Sequence, residues 1–147
     1  MINTFEQICN DIRDFVNKHA IIQEVVIDDF SKFTSDNHLY PLFWLTPISM
    51  NIVQGQIIYK FNLAAIDIKN ENQSLDKVLS DLAILIGEFF TYFDSENSDI
   101  FNYQITDKNS SQMQPFFDSI DMSTGWQGEI SFSTQFSQDY NKIRFKL

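Results

Sequence analysis

An α+β fold, with two helices packed on a mainly antiparallel sheet, follows from three features of this 147-residue sequence. Two segments, 5–16 and 75–93, carry apolar residues at helical spacing. Several others alternate apolar and polar residues with the period of a strand. Their order, αβββαβ followed by further β elements, lacks the regular βαβ alternation of a parallel sheet and groups hairpin-linked strands between helices.

The first helix rests on Phe5, Ile8, Cys9, Ile12, Phe15 and Val16, the stripe of a helix with one buried face. Thr4 and Gln7 match a capping box, which starts the helix near residue 4 and predicts its end near Lys18 or His19. Asn10, Asp11, Asp14 and Asn17 form the expected wet face. Residues 23–30 are rich in β-branched side chains and predict a strand that stops at the polar stretch 31–38.

The segment Leu39-Tyr40-Pro41-Leu42-Phe43-Trp44-Leu45-Thr46-Pro47 is apolar on both faces of a strand, so something must cover both sides. Pro41 and Pro47 each remove a ladder donor. They predict an edge strand, or one that enters and leaves the sheet at these two points. A turn at Gln54-Gly55-Gln56 precedes the plainest strand of the chain. There Ile57, Tyr59, Phe61, Leu63 and Ala65 make one apolar face, and Ile58, Lys60, Asn62, Ala64 and Ile66 a mixed one. With the strand before it, this one forms an expected antiparallel pair.

The second helix follows from Leu75, Val78, Leu79, Leu82, Ile86, Phe89 and Phe93, with Ser74 as N-cap and Asp76 suited to the positive helix end. Residues 94–99, polar throughout, stop it. Phe101, Tyr103 and Ile105 predict a half-buried strand, and a polar loop at 107–114 leads to Pro115-Phe116-Phe117. Ile130, Phe132, Thr134 and Phe136 alternate with polar residues. At the end, Ile143, Phe145 and Leu147 alternate with Lys142, Arg144 and Lys146; both runs predict strands exposed on one side.

The length suits one domain, 1–147, with long polar loops near 31–41 and 107–114. A chain of this size buries roughly 70% of the surface that its unfolded form exposes. Twenty acidic residues against ten basic ones give a net charge of -10, and only Arg13 and Arg144 carry guanidinium groups. Tight duplex binding depends on cations that neutralise phosphates, so this balance disfavours DNA as a firmly held ligand. Fifteen Phe residues exclude a disordered acidic protein. A lone Cys9, a start without a signal-peptide pattern, and no apolar stretch of membrane-spanning length predict a soluble, unsecreted protein with no membrane partner.

Catalytic, cofactor and metal sites are not expected. His19 and His38 lack further ligands at zinc spacing, and Asp94, Glu96 and Asp99 lack the glycine and distal Glu of a calcium loop. The acid pairs Asp28/Asp29 and Asp118/Asp121 would need a pocket and shifted pKa values to act as general acid and base. Gly125-Trp126-Gln127-Gly128 shares only its glycines with phosphate-binding loops. Phe89, Phe90, Tyr92 and Phe93 fit core packing, since no basic residues interleave them as in a stacking platform for single strands. Lys142, Arg144 and Lys146 place three cations on one face of an otherwise acidic chain. They suit either a partner's acidic face or a charge-guarded edge strand. With Phe116 and Phe117 they are the candidate subunit-interface residues.

Taken in order, the features resemble the small neck and tail ring proteins of tailed bacteriophages, of the tail-completion or tail-terminator-like class, especially in crAss-like phages of Bacteroides. The resemblance lies in the N-terminal helix and in Leu42-Phe43-Trp44-Leu45-Thr46-Pro47. It continues through Tyr59-Lys60-Phe61-Asn62-Leu63-Ala64-Ala65-Ile66-Asp67 and the helical Leu79-Ser80-Asp81-Leu82-Ala83. It ends at Asp118-Ser119-Ile120-Asp121-Met122-Ser123-Thr124-Gly125-Trp126, which leads into a strand. The resemblance covers nearly the whole chain, and the basic run at its end has no counterpart in it.

The resemblance implies a non-enzymatic virion protein, assembled in the host cytoplasm into a ring of identical copies that stacks between portal and tail. Its partners would be copies of itself, adjacent portal, neck or tail ring proteins, and DNA in transient, non-specific passage. The charge of -10 per subunit agrees, because acidic groups facing a channel repel a transiting duplex. The alternative from another class is an acidic protein-binding domain or inhibitor that captures a basic partner.

Overall fold

The computed structural model describes residues 5–94, 103–106, 112–118, 122–136, 141 and 143–146. Among them are two α-helices, α1 (Phe5–Lys18) and α2 (Leu75–Tyr92). Six strands accompany them: β1 (Glu24–Ile27), β2 (Leu42–Val53), β3 (Gln56–Ile68), β4 (Tyr103–Ile105), β5 (Met113–Phe117) and β6 (Ser123–Gln135). The fold is α+β, with a sheet ordered β1-β2-β3-β6-β4 and β5 paired to the other end of β6. Every pairing is antiparallel except that of β1 with β2.

The apolar stripe of α1 buries Ile8, Cys9, Ile12, Phe15 and Val16 as its spacing requires. These side chains join Phe43, Leu45, Phe61, Leu63 and Ala65 from one sheet face and Val78, Leu82, Ile86 and Phe89 from α2 in the main core. Phe15 meets the edge of Phe89 at 5.6 Å, and Phe89 lies 4.9 Å from Phe93. The wet face of α1 has one exception: Asp11 is half-buried and accepts a 2.8 Å hydrogen bond from Tyr103 Oη, which ties α1 to β4. Burial and the adjacent carboxylate push the Tyr103 phenol far above its ordinary pKa, so it remains a donor at every accessible pH.

Both faces of the segment 42–45 are covered. Phe43 and Leu45 enter the main core, while Leu42 and Trp44 join Ala64 and Ile66 under Phe30, Phe33, Tyr40 and Phe116. The expected strand at 23–30 is shorter than its composition predicts. Asp29 ends it by capping a 3₁₀ turn, Phe30–Lys32, through a 3.0 Å bond from Ser31 N.

Pro47 does not place β2 at an edge along its whole length, nor does it end the strand. The lower half of β2 is interior, between β1 and β3, and the strand continues to Val53. Asp28 N donates to Leu45 O, so alternate residues of β2, including Pro47, turn their backbone polar groups towards β1. β1 has already stopped there, and the missing N–H of Pro47 interrupts no ladder; the register shifts just beyond it, between Pro47 and Ser49. Gly55, at φ 77, closes the β2–β3 hairpin in a two-residue turn that its freedom from a Cβ permits.

Two further expectations are corrected. The polar loop at 107–114 is shorter, because β5 begins at Met113 and pairs with β6 through Gly128; residues 107–111 lie outside the described residues. A Cβ at Gly128 would stand 2.4 Å from Gln112 O and 2.6 Å from Met113 Sδ, so β5 docks only because that position is glycine. The C-terminal run is not a strand at the described residues 143–146. Phe136 N donates to Gly55 O at the hairpin tip, and the outer edge of β6 there is already held by β4, opposite Phe132 to Thr134. Among the described residues, no helix is long and apolar enough to cross a membrane.

Candidate assembly surface

Past the end of β1, the upper half of β2 stands clear of the core. Ile48, Met50, Ile52 and Val53 are all exposed, Ile52 at 57%. Residues 46–55 contain no charged side chain, although the chain as a whole carries -10. Met50 pairs with Tyr59 and Ile52 with Ile57, so these side chains extend the helix-bearing face beyond the helices. Ser49, Asn51 and Val53 lie on the other face. The outer backbone edge of the segment 49–53 has no strand beside it among the described residues. Such an edge offers unpaired N–H and C=O groups, and its apolar side chains add hydrophobic surface to them.

At the foot of this edge a cavity of about 670 Å³ opens between α1 and the end of β1, lined by Phe5, Glu6, Arg13, Asp28, Asp29 and Pro47 among others. Three carboxylates face one guanidinium there. The backbone N–H of Asp29, at 2.7 Å, and the Lys32 ammonium hold the exposed Asp28 carboxyl below its ordinary pKa. It therefore stays ionised at neutral pH, which leaves it no proton to give as a general acid and makes it a weak general base.

The interface candidates belong to two segments of the chain. Phe116 is half-buried and packs on the second face of the sheet, while Phe117 is 60% exposed. Both belong to β5, at the lower end of β6. Arg144 and Lys146 are exposed, with Ile143 and Phe145 beside them at 51% and 63%. Lys142 lies outside the described residues.

Other candidates resolve into structural roles. His19 Nδ1 accepts from Ile21 N and Ile22 N, so Nε2 holds the proton that it donates to Glu88 at 2.5 Å, joining the end of α1 to α2. His38 Nδ1 meets Glu24 Oε2 at 2.5 Å beside Trp44. Cys9 is buried, which pushes its thiol pKa up and leaves it unreactive. Among the described residues, no three His, Cys, Asp or Glu side chains converge as a metal site. Asp121 lies outside the described residues, as do Glu96 and Asp99.

Sequence reasoning missed one acid. Asp67 lies with Asp81, Ile21, Pro41 and Leu85 around a second cavity of about 420 Å³. Burial, reinforced by Asp81, raises its pKa even though Ile68 N donates to it at 2.8 Å. A raised folded-state pKa makes the folded protein bind more protons than the unfolded chain, so stability falls as pH rises through the carboxylate range. Asp67→Asn is therefore expected to raise the melting temperature at pH 7, with the gain disappearing below about pH 4; thermal unfolding at the two pH values checks this.

No protein-family model matches the sequence, and no curated protein matches it either.

Proposed function

We propose that this chain is a structural subunit of a bacteriophage neck or tail, where identical copies close into a ring between portal and tail through which DNA passes. The observation that carries this reading is the uncharged, apolar upper half of β2, left exposed on a strongly acidic chain. Like charges oppose contact between copies over most of the surface, so a neutral apolar edge favours association at one place. A contact between that edge and a different surface of the next copy is heterologous, and heterologous contacts close into rings when the rotation per step divides a full turn. The resemblance to phage neck and tail proteins supplies the setting, and its function is assembly rather than catalysis.

Native mass spectrometry of the purified chain, alone and mixed with its portal or tail partners, tests the proposal. A closed homo-oligomer of uniform copy number is the expected result. Persistent monomers that bind none of these partners would overturn it.

A further inference from the structure

We infer that the upper edge of β2, open among the described residues, is completed by the C-terminal segment, residues 143–146, of a second copy of this chain. The inference deepens the ring reading and rests on it. β1 shows what the edge accepts, because four residues, Glu24–Ile27, already cover its lower half opposite Leu42 to Leu45. The edge from Ser49 to Val53 has the same backbone groups and no such cover among the described residues.

The C-terminal segment has the matching character. Ile143 and Phe145 alternate with Arg144 and Lys146, all four are exposed, and none is in a helix or strand. Added beside β2, Ile143 and Phe145 would continue the apolar face formed by Met50 and Ile52. The two faces of a strand are fixed by its period of two, so Arg144 and Lys146 would then lie on the opposite face, with Ser49 and Asn51. Charge favours the same match. The edge itself is uncharged, Asp28 and Asp29 stand at its foot, and the arriving segment brings two of the ten basic side chains of an acidic protein. Strand addition of this kind takes its affinity from main-chain hydrogen bonds and its selectivity from alternate side chains.

A second copy is the occupant because each subunit carries both halves of the contact, the edge on β2 and the segment beyond β6. One subunit's segment on the next subunit's edge repeats without limit until the ring closes.

Disulfide trapping between two differently tagged chains tests this directly. One chain carries Ser49→Cys, Asn51→Cys or Val53→Cys, and the other Arg144→Cys or Lys146→Cys, all at exposed positions. Neighbouring strands bring Cα atoms within the roughly 4.4–6.8 Å that a disulfide spans. Mixed-tag disulfides from at least one pair are expected, while buried Cys9 stays reduced. Oligomers that yield no cross-link at any pair would overturn the strand addition and leave the ring reading standing. An exclusively intrachain disulfide in the dilute Asn51→Cys/Arg144→Cys double variant would place the segment on its own edge and also overturn the inference. Monomers throughout, alone and with the portal or tail partners, would overturn both. As a second measure, Arg144→Glu with Lys146→Glu is expected to weaken self-association about tenfold through lost charge complementarity; unchanged association would count against the inference.

Discussion

Gly125→Ala is expected to destabilise the protein by about 3 kcal/mol or more, at or above the upper end of ordinary overpacking. A Cβ at this position would stand 1.8 Å from the backbone oxygen of Ala65 and 3.1 Å from Phe116 Cε1. The first conflict is with main chain of β3, which is paired on both sides there and cannot turn aside as a side chain can. Gly125 lies opposite Ile66 on one side and Phe116 on the other, so relief requires β6 to part from β3 or β5. Chemical denaturation with circular dichroism measures the loss. A midpoint within experimental error of the unchanged protein would show that the strands tolerate the added methyl.

The second large effect is expected from Phe89→Ala, at about 3–5 kcal/mol. Phe89 is fully buried and bridges α1, α2 and the sheet, with ring contacts to Phe15, Phe43 and Phe93. Removing it takes the common neighbour from three aromatic rings, none of which can fill the space without losing its own contacts. A domain stabilised by the usual 5–15 kcal/mol would then lie close to its unfolding threshold. The same denaturation experiment gives the value, and a loss below about 1 kcal/mol would mean that the core collapses around the gap.

Periodicity made the helices and β3 legible, because each helix buries one stripe against the main core and β3 sets Phe61, Leu63 and Ala65 on that same side. α1 ends at Lys18 and α2 at Tyr92, near the stops that their spacing indicates. The doubly apolar segment 42–45 correctly required cover on both sides. What covers its second face, the aromatic group from Phe30 to Tyr40 together with Phe116, comes from segments whose own pattern says only loop or short strand.

The misreadings share a cause: strand membership is decided by the neighbouring strand. Pro47 resembles an end when only its own ladder is considered, yet it costs nothing because β1 has already stopped. Ile143 to Lys146 alternate as a strand does, but they pair with no strand among the described residues. β5 was hidden because its signal is in its partner, in the glycines at 125 and 128, where a Cβ would collide with β3 or with the chain entering β5. The apolar edge at 48–53 formed no part of the sequence reading, since Met50 and Ile52 alternate with Ser49 and Asn51 as they would in a buried strand and the letters carry no sign of exposure.

The pairing of β3 with β6 also governs how the chain reaches its fold. Thr134 Oγ1 donates to Ile57 O across 77 residues, and all of β4 and β5 depend on the strand that makes this contact. β2 and β3 can meet early as a local hairpin, but the second edge of β3 must wait until α2 and two smaller strands have been synthesised. Closing so distant a pair sets the folding rate through loop entropy. During that interval the nascent hairpin displays two open edges instead of one, and premature association between chains competes most strongly at that stage of synthesis.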